Sequence, residues 1–131
     1  MLRLLLATGA ALLVAVATAA AAGTPLQGTF ETVIANAPAT QLDGSWQLVL
    51  QPAGRYTIKR NGVTLVQGRD TQTAATIGFG HESGPAACTG AQSAATYRWL
   101  LRGGLLRLTP VRESCSGRRF VLTAHPLTKS G

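Results

Sequence analysis

From Gly28 onward the chain is written in short runs that alternate apolar and polar residues, each ended by a turn signal, and no run keeps a helical period for a useful length. Such a pattern points to a β fold. Trp46, Leu48 and Leu50 fall on one face, with Ser45, Gln47 and Val49 on the other. Tyr56 with Ile58, Ile77 with Phe79, Tyr97 with Trp99 and Leu101, Leu106 with Leu108, and Phe120 with Leu122 repeat the alternation. A period of two with one apolar face is what an antiparallel sheet shows when it buries one side only. The predicted strands cover residues 28–34, 45–50, 55–59, 63–68, 76–80, 96–101, 105–111 and 119–123.

The joints between them are equally legible. Pro52-Ala53-Gly54, Asn61-Gly62 and Arg102-Gly103-Gly104 are tight-turn sequences, and the segment from Tyr56 echoes the one from Tyr97, as two hairpins of a meander would. Residues 36–42, with Pro38, read as a linker, 84–95 as a longer loop tethered by Cys88, and 126–131 as a frayed tail. Eight short antiparallel strands with tight turns close most simply into an up-and-down barrel, which removes the exposed edges of an open sheet. A two-sheet β-sandwich is the alternative.

Ahead of this domain lies a different kind of sequence. Arg3 marks a short positive start, residues 4–16 are apolar apart from Thr8 and Gly9, and residues 17–22 are a string of small residues ending in Ala20-Ala21-Ala22. That is the layout of a secretory signal peptide, residues 1–22, with cleavage before Gly23 and a single mature domain over 23–131. A retained anchor is the competing reading, because residues 4–22 approach the ~20 apolar residues needed to span a bilayer. The alanine-rich second half inserts weakly and no basic stop-transfer cluster comes after it, so no stable span is expected after cleavage. The expected location is secreted or associated with the cell envelope. Cys88 and Cys115 both lie in the exported part, where an even pair in a small domain reads as a disulfide. Closing a loop of that length contributes roughly 3 to 4 kcal/mol on the chain-entropy model.

The formal net charge is +7, one unit less once Arg3 is removed. The arginines are scattered along the strands and form no coherent stripe, so nucleic acid is not an expected partner. Charge alone supports a mild attraction to anionic cell-wall or membrane surfaces. The five acidic residues, Glu31, Asp43, Asp70, Glu82 and Glu113, are widely spaced, and nothing in their spacing suggests paired-carboxylate chemistry. His81-Glu82-Ser83, between Gly80 and Pro85, lacks the spacing of a nucleophile elbow. It reads as a solvated turn, with a ligand-proximal rim as the alternative, so changing His81 and Glu82 together to Ala is expected to leave the fold nearly intact. His81 and His125 have no nearby acidic or cysteine partner that would make a metal site. No phosphate-binding glycine loop in a βα context occurs. The expectation is therefore a protein that is not an enzyme and carries no cofactor and no metal.

Gly44-Ser45-Trp46, opening an alternating strand, resembles the Gly-x-Trp signature of lipocalins, where the Trp plugs one end of the barrel and an Arg from late in the chain stacks across it. The resemblance implies a plug made by Gly44 and Trp46 with Arg118 or Arg119; a cation over an indole contributes ~0.5 to 2 kcal/mol. The wider set of Gly-x-Trp, Gly54-x-Tyr56, His81 to Pro85, Cys88, Tyr97-x-Trp99 and Cys115 is similar to a group of small exported bacterial lipocalin-like, calycin-type β-barrel proteins. The chain departs from lipocalins in having a strand before Gly-x-Trp and no expected C-terminal helix. What the resemblance implies is a small apolar or amphipathic ligand, with Tyr56, Phe79, Tyr97 and Trp99 facing it. The alternative is a structural or protein-interaction module of the cell envelope, partnered by an envelope protein, whose barrel is filled by its own side chains.

Overall fold

The computed structural model describes residues 11, 14 and 24–131; the expected signal peptide falls, but for two positions, outside the described residues. The elements run β1 (Gly28–Ile34), a 3-10 turn (Thr40–Leu42), β2 (Gly44–Gln51), β3 (Arg55–Arg60), β4 (Val63–Gln72), β5 (Thr76–Ser83), a second 3-10 turn (Gly90–Gln92), β6 (Ala95–Arg102), β7 (Leu105–Arg112), α1 (Ser116–Thr123) and β8 (Leu127–Lys129). Each strand pairs antiparallel with the next and β8 returns to β1, so the sheet is a closed eight-stranded barrel and not a sandwich. The hairpins form where the sequence allows backbone of the left-handed region. Asn61 and Gly62 have φ of 49° and 80°, and Gly103 and Gly104 of 56° and 75°, the pairs of positive φ that tight hairpins need.

Inward positions pack the barrel with its own side chains. Phe30, Leu48, Leu50, Tyr56, Ile77, Phe79, Tyr97 and Leu106 are all buried. Across the middle, Phe79 meets Tyr56 edge-on with ring centroids 4.9 Å apart and Tyr97 at 5.7 Å. The end at which β2, β4 and β6 begin is covered by the Thr40–Leu42 turn, the loop 84–94 and α1.

The C-terminal region corrects two expectations. Residues 119–123 are not a strand; they belong to α1, so a helix does come after the late strands. Phe120 and Leu122 satisfy a period of two, but Arg118, Val121 and Leu122 are the buried residues, three and four apart, which is one face of a helix. The eighth strand comes instead from the segment read as a frayed tail. Leu127 is buried, the Lys129 N–H donates to Gly104 O at 2.7 Å, the Ser130 N–H to Thr29 O at 2.8 Å, and the Thr29 N–H to Gly131 O at 2.9 Å. Those bonds fill the gap that would otherwise leave β1 and β7 as open edges.

Candidate functional site

Two single-residue irregularities in the sheet place carboxylates inside the capped end of the barrel. In the β4–β5 ladder Arg69 faces Gly80, yet Gln67 faces Ser83, so β5 holds one extra residue there. An extra residue reverses which side chains point inward. His81 takes the kink with φ of 51° and stays exposed, while the Glu82 side chain turns inward and is 1% exposed. In the β6–β7 ladder Tyr97 faces Pro110 but Thr96 faces Arg112, so β7 also holds an extra residue. Arg112 remains outside, and the side chain of Glu113, just past the strand end, is fully enclosed. Pro110 sits beside this bulge, one of the few places where a sheet accepts proline.

Arg118 of α1 joins the two carboxylates. Its Nε donates to Glu113 Oε2 at 2.7 Å and its Nη2 to Glu113 Oε1 at 2.9 Å. Nη1 lies 3.1 Å from Glu82 Oε2 and donates to Ser93 O at 2.8 Å, and Nη2 also donates to Gln92 O at 2.9 Å. Five N–H groups thus meet five oxygens, the full donor capacity of a guanidinium. The Tyr56 hydroxyl donates to Glu82 and the Tyr97 hydroxyl to Glu113. The Cys88 N–H donates to Glu82 Oε1 and the Cys115 N–H to Glu113 Oε1, each at 2.8 Å. Each carboxylate is therefore held by one tyrosine, one cysteine backbone and the same arginine. A disulfide between Cys88 and Cys115, with Cα atoms 6.1 Å apart, ties the two halves together.

The electrostatics arise from this enclosure. Burial pushes the Glu113 carboxyl up, but Arg118, the Tyr97 hydroxyl and the Cys115 N–H together outweigh it and hold the group below the usual carboxylate range. For Arg118 burial opposes the charge, and hydrogen bonding to Glu113 with attraction to both carboxylates more than restores it. Burial, reinforced by the neighbouring carboxylate, raises both Tyr56 and Tyr97, so the hydroxyls keep their protons and act as donors. These groups are engaged on one another, and the cluster forms an enclosed, hydrogen-bonded floor to the capped end.

Directly beside this floor is a cavity of about 100 Å³ lined by Leu42, Trp46, Ile58, Val66 and Val121 together with the disulfide, with Glu82 and Arg118 at its polar edge. Trp46 is buried and its indole N–H donates to Leu42 O at 2.8 Å. Gly44 has φ of 136°, a backbone state that calls for glycine, and a Cβ there would stand 2.9 Å from Asn61 Oδ1, at the movable end of that side chain. Arg60 fastens the same corner, donating from Nε to Asp43 O at 2.7 Å and from Nη2 to Thr40 O at 3.2 Å.

The residues singled out from sequence are thus sorted. Gly44 shapes the turn next to Trp46, and Trp46 and Arg118 line one cavity, with the guanidinium turned to oxygens; Arg119 is exposed on α1. Tyr56, Phe79 and Tyr97 lie within the packed interior. Trp99 is half-buried toward the opposite end, with its indole N–H donating to Thr73 O at 3.2 Å. His81-Glu82-Ser83 is not a solvated turn but the end of β5; His81 and Ser83 are exposed as expected, whereas the β5 bulge turns the Glu82 side chain into the cluster. Replacing Glu82 would strand a buried arginine contact and the Cys88 N–H, so the expectation that the His81 and Glu82 double change spares the fold is withdrawn. Sequence reasoning also missed Glu113 and the donor roles of the two tyrosines. The available signal was an acidic residue a short way ahead of each cysteine.

The opposite end is closed differently. Gln72 Nε2 donates to Leu26 O at 2.9 Å and its Oε1 accepts from the Leu26 N–H at 2.7 Å, while Asp70 Oδ2 accepts from Gln72 Nε2 at 3.0 Å. Among the described residues Asp70 Oδ1 is buried without a partner, and burial pushes that carboxyl up against the smaller opposing effect of Gln72.

Fold and site together define a class, a disulfide-braced, closed antiparallel barrel with a helix-capped end and a buried carboxylate–arginine floor. No family model, curated protein or solved structure gives a significant match to the chain. Among the described residues no helix is long and apolar enough to cross a membrane.

Proposed function

We propose that this protein is a lipocalin-like binding barrel of the extracytoplasmic space that takes the apolar end of a small amphipathic molecule at the mouth beside Trp46. The observation that carries the reading is the cavity of about 100 Å³ with apolar walls and a charged edge. Pockets for whole drug-sized ligands run from roughly 300 to 1,000 Å³, whereas a dry cavity of roughly 150 Å³ already takes benzene. At about two thirds of that volume this one takes a short alkyl group or the edge of a ring, with the polar part of the ligand left outside. In these roles Trp46, Leu42, Ile58, Val66 and Val121 make the apolar contacts, and Arg118 and Glu82 fix the floor. The secretory-type N-terminus and the disulfide both suit an oxidising compartment. Nothing in this reading calls for catalysis, since the polar groups at the cavity are engaged with one another.

A second reading has its own support. The interior is packed by Phe30, Tyr56, Phe79 and Tyr97, as in a barrel that serves as a structural or protein-interaction module of the envelope. The two separate in one experiment. In a Trp99→Phe protein Trp46 is the only indole of the mature domain, and hexanol, hexanoate and phenol serve as probes. The binding reading expects a saturable change in Trp46 emission that Val121→Phe, which fills the cavity, removes. An unresponsive Trp46 with an unchanged fold transfers the assignment to the interaction module.

A further inference from the structure

The chain has only five acidic residues, and the fold withdraws three of them, Asp70, Glu82 and Glu113, from solvent. Of the other two, Glu31 is engaged by Gln47 and Asp43 by the Ala37 N–H. The arginines and lysines of the outer wall are left facing water with almost no negative charge among them, a segregation that the net charge alone does not reveal.

On that wall, outside β3, β4 and β5, lies a groove of about 410 Å³ whose lining includes Arg55, Thr57, Gln67, Arg69, His81 and Ser83 and no acidic residue. Arg55 and Arg69 stand directly opposite each other in the β3–β4 ladder. Among the described residues the ion pairs all belong to Arg118, so neither guanidinium is neutralised by the protein. Like charges directly opposite in a sheet work against folding. A third donor group is delivered by strain: His81 has φ of 51°, a backbone state uncommon for a residue with a Cβ. The bulge that sends Glu82 inward is therefore also what turns His81 onto the groove, so one irregularity serves two faces of the sheet.

We propose that this groove is an anion site that binds a phosphate group. Two guanidiniums offer planar forks of N–H donors to a group with several oxygens, and the His81 ring and Ser83 hydroxyl add donors from the neighbouring strand. A phosphate uses more of these donors than a carboxylate can. The groove is larger than a bare phosphate, so the remainder of a phosphorylated ligand, whether a soluble ester or a lipid headgroup, has room along Gln67 and Thr57. The site lies on the outer wall and does not depend on the cavity beside Trp46.

The test is a titration of the isotopically labelled secreted protein, followed by amide NMR at constant ionic strength, with inorganic phosphate, with glycerol phosphate, and with vesicles of phosphatidylglycerol against phosphatidylcholine. Saturable shifts centred on Arg55, Arg69, His81 and Ser83 are expected with phosphate and absent with chloride. Saturation by the soluble phosphates identifies a soluble ligand, and a response confined to the phosphatidylglycerol vesicles identifies a headgroup; either supports the site. Arg69→Gln should weaken binding at least tenfold while raising Tm in the absence of phosphate, because it removes a like-charge pair. Arg98→Gln, on the outer face of β6, should leave binding unchanged. Shifts spread evenly over all exposed arginines, equal weakening by Arg98→Gln, or no saturation with any probe would overturn the proposal in favour of diffuse surface charge.

Discussion

Glu113 and Asp70 are both buried carboxyls, and their surroundings drive them in opposite directions. Glu113 is supplied with a guanidinium, a hydroxyl and a backbone N–H, whereas Asp70 has the Gln72 amide and its own backbone N–H, and one of its oxygens has no partner among the described residues. A carboxyl held below its ordinary value stabilises the fold above the unfolded-state pKa, near ~4.3 for Glu, and that contribution is lost as pH falls through the folded value. A carboxyl raised by burial does the reverse: its penalty is present at neutral pH and disappears in acid. Urea unfolding measured across pH should therefore show Glu113→Gln lowering the midpoint at pH 7, with the deficit narrowing as pH drops below the Glu range. Asp70→Asn should raise the midpoint at pH 7, with the gain vanishing in acid. Arg118→Met should be far more severe, about 3 to 5 kcal/mol, because it leaves two enclosed carboxylates without their counter-charge. None of this was legible residue by residue. Glu82 and Glu113 look like ordinary polar positions in sequence: the arginine that makes Glu82 structural lies far along the chain, and it reaches nearby Glu113 only because residues 119–123, which alternate like a strand, form α1.

At the scale of elements, the hairpins were legible because Asn61-Gly62 and Gly103-Gly104 carry their own backbone preference, and the alternation around Trp46, Tyr56 and Tyr97 named the inner face correctly. The bulges in β5 and β7 were not, because inserting one residue leaves no mark in composition and only inverts the phase of the residues beyond it. Gly68 shows how tightly the sheet is built around the cluster. It lies opposite Tyr56, and a Cβ at Gly68 would stand 2.6 Å from the tyrosine ring and hydroxyl. Gly68→Ala must displace the ring and with it the hydroxyl bonded to Glu82, so a loss of about 1 to 3 kcal/mol is expected, typical of overpacking. Gly80→Ala on the adjacent strand is the control, since its nearest atom would be 4.0 Å away at Ala94. Thermal unfolding of the two variants should separate them clearly; equal effects would mean that general loss of glycine flexibility, and not the Tyr56 contact, sets the response.

For the whole molecule the decisive question is closure. Eight strands were expected, and eight are present among the described residues, but the last is three residues long and lies where the sequence shows only Pro126, a lone Leu127 and a short polar end. Three residues cannot display a period, so a strand of this kind is visible only through the gap it fills. Its smallness conceals its role: β8 pairs with β1 and with β7 at once, and Leu127 is 1% exposed under that seam. Removing residues 127–131 exposes the backbone donors and acceptors of two edge strands and uncovers the core at Leu106, the partner of Leu127 in the ladder. The truncated chain should unfold at a clearly lower urea concentration and form dimers or larger species by edge pairing, seen in size-exclusion chromatography with light scattering. Lys129→Pro in the full-length chain deletes one seam bond, the N–H to Gly104 O, without uncovering Leu127, and should lower the midpoint by a smaller amount while the protein stays monomeric. A truncated chain that remained monomeric with an unchanged midpoint would mean that β1 and β7 hold the barrel shut without β8.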